Sequence, residues 1–243
     1  MMLRLPAIAL LAFALFIHLS PADVSAGQTA QTFKRTIEGK EESLGYLLYL
    51  PKDHDAKKDQ KFPVILFLHG SGERGSDINK VKVHGPPKLV EGGKELPFIV
   101  ISPQCPGGSR WNADQLAALI DDVVKTHRGD VDRIICTGLS MGGFGTWDLC
   151  TKYPDKFAAA VPICGGGNPA TVSAMKNIPT WVFHGDKDTA VKIDASQKMV
   201  DALKAAGGKV EFTIYPGVGH DSWTRTYDDA KLWEWLGTQK RGK

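Results

Sequence analysis

The chain has 243 residues, 42% of them hydrophobic and 23% charged, with 30 Lys and Arg against 27 Asp and Glu for a net charge of +3. That length supports one sizeable core, and the composition excludes a disordered, collagen-like or coiled-coil protein. The balanced charge offers no footprint for a nucleic-acid partner, and the basic tail Lys240-Arg241-Gly242-Lys243 reads as a solvated end.

The N-terminus reads as an export signal. Arg4 precedes an apolar run from Leu5 to Ile17, and Val24-Ser25-Ala26 forms a small-residue cleavage pattern, so a cut is expected between Ala26 and Gly27. The run is short for a bilayer span, which disfavours a retained anchor. The expectation is a signal peptide over 1–26, one domain over 27–243, a secreted or periplasmic protein, and no membrane association after cleavage. Export permits disulfides. Cys136 and Cys164 nevertheless lie in apolar strand-like runs, and a core of this size needs no staples, so Cys105, Cys136, Cys150 and Cys164 are read as free, buried thiols.

In chain order, Thr32–Ile37 and Leu44–Leu50 read as two strands with no helix between them, an antiparallel pair at a sheet edge. The Lys-rich stretch from Asp53 to Lys61 reads as a surface loop. Short, continuously apolar runs follow at 63–68, 98–101, 133–136, 158–163, 180–183 and 210–215, the pattern of strands buried on both faces in a parallel sheet. Between them, helices are expected at Ala113–Lys125, Met141–Lys152, Asn168–Lys176, Asp194–Ala206 and Ala230–Gly237. Pro86-Pro87 predicts a stiff short loop over Val81–Gly93. Strand alternating with helix predicts an α/β fold with right-handed crossovers.

In such a sheet, reactive groups gather beyond the carboxyl ends of the strands. Gly138-Leu139-Ser140-Met141-Gly142 lies between a predicted strand and a predicted helix. This G-x-S-x-G pattern is weak alone; its position makes Ser140 the candidate nucleophile on a sharp strand-to-helix turn. A serine hydroxyl needs a base. His220 follows the last strand on the same rim. His69 and His184 each end a strand before a glycine and read as turn residues, His84 lies in a loop, and His54 and His127 read as exposed. The base in turn needs an acid to fix its tautomer, for which Asp186 and Asp188 compete in the segment after Phe183.

Five ordered motifs now carry a resemblance: H-G-S-G-E-R-G at 69–75, S-P-Q-C-P at 102–106, G-L-S-M-G-G-F-G-T-W at 138–147, H-G-D-K-D-T-A-V at 184–191 and G-H-D-S-W at 219–223. From about Lys34 to Gln239 the chain resembles an α/β-hydrolase of the secreted carboxylesterase and predicted-peptidase group. That group lies near the phospholipase/carboxylesterase and dienelactone-hydrolase-like families. The resemblance implies a mostly parallel sheet of about eight strands with helices on both faces. It points to Asp188 as the acid and leaves Asp186 as a turn residue. It assigns the oxyanion donors to the backbone N–H groups of Ser71 and Met141.

Trp111 and Trp223 are candidates for the substrate pocket or for core packing, and Trp147 for the core. Glu73 and Arg74 are read as pairing with each other or touching a substrate carboxylate. The segment from Cys164 to Pro179 is too short for a cap domain. The expected activity is cleavage of a small or polymer-borne carboxylic ester through an acyl-enzyme, with no cofactor and no metal. A serine peptidase stays open, because ester and amide cleavage use the same triad. So does an esterase that removes acetyl, feruloyl or uronoyl groups from polysaccharide. A non-catalytic binding module is opposed by the complete Ser140, Asp188 and His220 set. The sequence carries no signal for oligomeric state.

Overall fold

The computed structural model describes residues 27–242, so the expected signal peptide over 1–26 lies outside the described residues. The strands are β1 (Thr29–Ile37), β2 (Lys40–Tyr49), β3 (Phe62–Leu68), β4 (Ile99–Pro103), β5 (Gly129–Leu139), β6 (Ala159–Ile163), β7 (Thr180–Gly185) and β8 (Val210–Tyr215). They form one sheet in the order β1-β2-β4-β3-β5-β6-β7-β8. β1 runs antiparallel to β2 and β2 antiparallel to β4, while the other pairs are parallel. The expected antiparallel pair thus sits at one edge of a mostly parallel sheet.

The helices are α1 (Gly85–Glu91), α2 (Ala113–Thr126), α3 (Met141–Lys152), α4 (Asp194–Ala205), α5 (Trp223–Asp228) and α6 (Ala230–Thr238). Alternation along each strand divides the core between the two faces of the sheet. Val64, Leu66 and Leu68 of β3 share a cluster with Leu116 and Ile120 of α2, Trp147 of α3 and Leu203 of α4. Ile65 and Phe67 share the opposite cluster with Val90 of α1, Tyr227 of α5 and Leu232 of α6. The start of α2 is held by Asn112, whose Oδ1 accepts from the N–H groups of Asp114 and Gln115, both at 3.0 Å.

Three expectations are corrected. Val81–Gly93 is not a bare loop: a 3-10 helix (Ile78–Val83) runs into α1, and the prolines occupy the first turn of α1. That turn needs no N–H from them, so Pro86-Pro87 starts a helix where it would break one in the interior. Asn168–Lys176 is not an α-helix; only Val172–Met175 forms, as a 3-10 turn. There Asn168 Oδ1 takes the N–H of Ala170, and the backbone closes i→i+3 bonds such as Thr171 to Asn168 and Ala174 to Thr171. His54 is 5% exposed and His127 half-buried, not solvated. His54 packs on Phe62 with ring centroids 5.3 Å apart, and its Nε2 lies 3.1 Å from the His127 carbonyl, so a polar stretch folds back over the core.

The chain leaves β3 for β4 on one side and later returns to β5 on the other. Topology therefore reverses at β3, and the carboxyl ends of β3 and β5 flank the crevice where such sheets hold ligands.

Candidate active site

Ser140 stands between β5 and α3 with φ 52° and ψ −118°, a backbone region that non-glycine residues rarely enter. Crowding at this turn explains the flanking glycines. A Cβ on Gly142 would lie 1.9 Å from the Leu68 carbonyl oxygen, and one on Gly138 would lie 2.4 Å from the Gly142 oxygen. The Ser140 N–H donates to the Ile163 carbonyl at 3.0 Å, which ties the turn to β6.

His220 lies in the loop between β8 and α5, and its side chain is 27% exposed. Its Nε2 is 3.0 Å from Ser140 Oγ and its Nδ1 is 2.7 Å from Asp188 Oδ2. Asp188 follows β7, and its Oδ1 accepts the N–H groups of Ala190 and Val191, each at 2.9 Å. Burial alone raises this carboxyl. His220 and the two backbone donors outweigh it and hold Asp188 below the ordinary carboxylate value. Asp186 faces elsewhere and accepts the Gly217 N–H at 2.7 Å, as a turn residue does. The structure thus brings Ser140, His220 and Asp188 together from three separate loops and leaves Asp186 out.

Ser71 opens a 3-10 turn (Ser71–Glu73) and Met141 opens α3, so both present N–H groups without an intrahelical acceptor. The loop carrying Ser71 is close to the nucleophile: a Cβ on Gly70 would lie 3.6 Å from Ser140 Cβ. His69 braces this loop. Its Nδ1 lies 2.6 Å from the Gly70 carbonyl, and its Nε2 accepts the Cys105 N–H at 3.0 Å. Complete burial, reinforced by Arg74, lowers its pKa to about 4, so the ring is neutral.

Trp111 is partly buried against the core. Its Nε1–H donates to the His69 carbonyl at 3.3 Å, and its ring lines a cavity of about 250 Å³ with Met141, Phe144, Asp148 and Gly166. Phe144 escaped the sequence reading; it follows Ser140 by one helical turn and so shares its face. Trp223 is buried and meets His220 edge-on, with ring centroids 5.2 Å apart at 89°. Trp147 is buried in the core.

Glu73 and Arg74 do not pair. Arg74 donates to the Ser71 and Ser109 carbonyls, while Glu73 turns inward towards His69 and His84. His184 touches the site as well: its Nε2 lies 3.2 Å from Asp188 Oδ2 and 2.7 Å from the Val191 carbonyl. The sequence reads it as a turn residue, and its spacing of four from Asp188 is the signal for its place here.

Among the described residues, Cys164, Asp188 and His220 each bring one ligand-type atom within 4.8 Å of the others. The donor chemistry suits a proton relay better than a cation. Asp188 and His220 use those atoms on each other, and burial holds the Cys164 thiol protonated, its pKa pushed up to about 12. All four cysteines are free and buried.

The dienelactone hydrolase family model matches residues 109–232, which is 124 of the 243 residues. The chain is 29% identical over 227 residues to an endo-1,4-beta-xylanase/feruloyl esterase of Xylanibacter ruminicola, a match covering 84% of this chain and 31% of that one. It is 32% identical over 133 residues to carboxylesterase SOBER1 of Arabidopsis thaliana, covering 52% of this chain and 58% of that one. A solved thermostable esterase superposes with a TM-score of 0.77 at 34% identity, covering 90% of this chain and 64% of that chain. A ferulic acid esterase, at 19% identity and TM-score 0.62, shares the fold, covering 86% of this chain and 96% of that one. The architecture is that of an α/β-hydrolase. The matches take up between about a third and three fifths of the length of these curated relatives.

Proposed function

This chain belongs to the dienelactone hydrolase family, and from that premise we propose that it is an exported serine hydrolase cleaving carboxylic esters through an acyl-enzyme. The observation that carries the proposal is the His220 imidazole, 3.0 Å from Ser140 Oγ on one side and 2.7 Å from Asp188 Oδ2 on the other.

Neutral His220 takes the Ser140 proton on Nε2 as Oγ bonds to the ester carbonyl carbon. Asp188 keeps the remaining ring proton on Nδ1 and stabilises the imidazolium. The carbonyl electron pair collects on oxygen, where the N–H groups of Ser71 and Met141 supply several kcal/mol of preorganised stabilisation. The C–O bond to the alcohol then breaks, and the alcohol leaves with the proton from Nε2. Water repeats the sequence on the acyl-enzyme, giving up one proton to His220 and releasing the acid. The strained turn at Ser140 supports this reading, because it lifts Oγ off the sheet at the start of α3.

A finer reading is removal of an acyl side chain from a polysaccharide. The match to a xylanase/feruloyl esterase over 84% of this chain favours it. So do the Trp111 and Phe144 rings in the cavity wall beside Met141, which suit a flat acid. Export is supported by the leader-like composition of 1–26 and by the match to a fungal protein described as secreted.

A panel of esters varied in acid and alcohol, run beside the matching amides, tests the proposal. Ester turnover that disappears with blockage of Ser140 is expected. Cleavage of amides alone overturns the esterase reading in favour of a peptidase.

A further inference from the structure

The mechanism above leaves one buried imidazole unused. His184 lies near the end of β7 with no exposed surface, and the Asp188 side chain beside it has none either. The atoms paired with His184 Nε2 are both acceptors: the Val191 carbonyl oxygen at 2.7 Å and Asp188 Oδ2 at 3.2 Å. Nε2 therefore carries a proton, and the shorter contact receives it.

Val191 passes this hold on to the acid. Its carbonyl accepts from His184, and its own N–H donates to Asp188 Oδ1 at 2.9 Å. The carboxylate is thus gripped through both oxygens. Oδ1 takes the N–H groups of Ala190 and Val191, and Oδ2 takes His220 Nδ1–H at 2.7 Å with His184 Nε2 beside it. The oxygen that orients the base is the one His184 touches.

The other side of the ring is anchored to the surroundings of the nucleophile. Ser196 Oγ, in the first turn of α4, stands 2.8 Å from His184 Nδ1 and 2.8 Å from the Gly165 carbonyl oxygen. Gly165 packs directly on α3: a Cβ built on it would lie 2.5 Å from the Gly143 carbonyl carbon. Two residues earlier, the Ile163 carbonyl takes the Ser140 N–H. One ring therefore joins the loop of the acid to the segment that seats the nucleophile. A buried polar junction of this kind persists where its members are satisfied, and a plain turn residue requires none of these bonds. We infer that His184 is a positioning residue for the triad: acting through Val191 and Asp188, it holds the carboxylate so that Oδ2 points at His220 Nδ1. The inference rests on the ester-hydrolase reading of the site and deepens it.

The test separates the two ring nitrogens. His184→Gln extends an amide N–H to the reach of Nε2 and keeps the bond to Val191; His184→Asn reaches only the Nδ1 side and keeps Ser196. His184→Leu keeps neither. A misplacement of about 1 Å in a reacting constellation costs on the order of 100-fold. His184→Leu and His184→Asn are therefore expected to lower kcat by about 10- to 100-fold with KM within about twofold of the wild type, and His184→Gln to recover most of the loss. In an Asp188→Asn background the same substitutions should cost less than about threefold, because the residue they act through is already disabled. The rate of Ser140 labelling by an organophosphonate should fall in parallel with kcat. Equal losses in both backgrounds, a change confined to KM, or equal activity of His184→Asn and His184→Gln overturns the role. Should His184→Leu fail to fold, the two amide variants decide alone. Labelling needs the triad but no substrate, so a wild type that labels at Ser140 yet turns over no ester removes the ester reading and leaves His184 to be judged on labelling rates.

Discussion

Asp188 Oδ2 lies 2.7 Å from His220 Nδ1, although the two residues sit on loops after different strands, β7 and β8. The pair holds because the other carboxylate oxygen is already fixed by the N–H groups of Ala190 and Val191. The acid reaches the imidazole with its orientation set, and His220 and the two backbone donors, outweighing burial, hold its pKa below the ordinary carboxylate value, so it stays an acceptor under mildly acidic conditions.

Asp188→Asn is expected to lower kcat by about 10³- to 10⁴-fold, because an amide can stabilise the wrong histidine tautomer and cannot balance the imidazolium. Asp186→Asn, which disturbs only a turn, should change kcat by less than about threefold. Steady-state kinetics of both variants on one ester decide the assignment; a reversed order shows that the acid is Asp186.

Ser140→Ala should abolish covalent labelling by an organophosphonate and reduce hydrolysis to background while the thermal transition stays near the wild type. Mass spectrometry of the labelled peptide reads the result. Labelling that survives the substitution assigns the nucleophile elsewhere.

A neutral buried histidine makes stability depend on pH. His69 takes its proton at about 4 in the folded chain, against an ordinary 6.5 when exposed. Between those values the unfolded chain binds the extra proton, so folding stability falls as pH falls through that window and is undiminished above it. The full loss amounts to about 3 kcal/mol. Urea unfolding at pH 7 and pH 4 measures it, and His69→Gln should show a correspondingly shallower dependence. An equal dependence in both proteins refutes the assignment.

Chain-length selectivity should favour short acids. Only the Val172–Met175 turn stands between β6 and β7 among the described residues, and the cavity beside Met141 holds about 250 Å³. Each further methylene gains about 0.8 kcal/mol only if it is buried. We expect kcat/KM to peak at short or compact acyl groups and to show no rise at a lipid–water interface. A steady increase from acetyl to palmitoyl would reveal an apolar tunnel.

Much of this molecule is legible in its sequence, for identifiable reasons. The parallel strands announce themselves because both faces are buried, as in the unbroken run Val64–Leu68. The Ser140 turn is legible because crowding against Leu68 leaves only glycine on either side. What depends on long-range folding is not. The sequence reads Glu73 as pairing with Arg74 or touching a substrate carboxylate, and only the packing of the loop after β3 against the α1 and α5 region turns it inward. His54 looked exposed because its neighbours are polar, while its burial comes from Phe62 and His127. The α1 prolines misled because their effect reverses between a helix interior and its first turn.

The four native thiols give the protein a practical property. They are between 0% and 1% exposed, and Cys164, the nearest to His220, is held protonated up to about pH 12. Maleimide and iodoacetamide react with accessible thiolate, so the folded chain should be silent to both. A cysteine placed on the exposed turn beyond Glu73, as in Ser76→Cys, then becomes the one reactive handle without removal of any native residue. A fluorophore attached there would report loop motion beside the site in the otherwise unaltered protein.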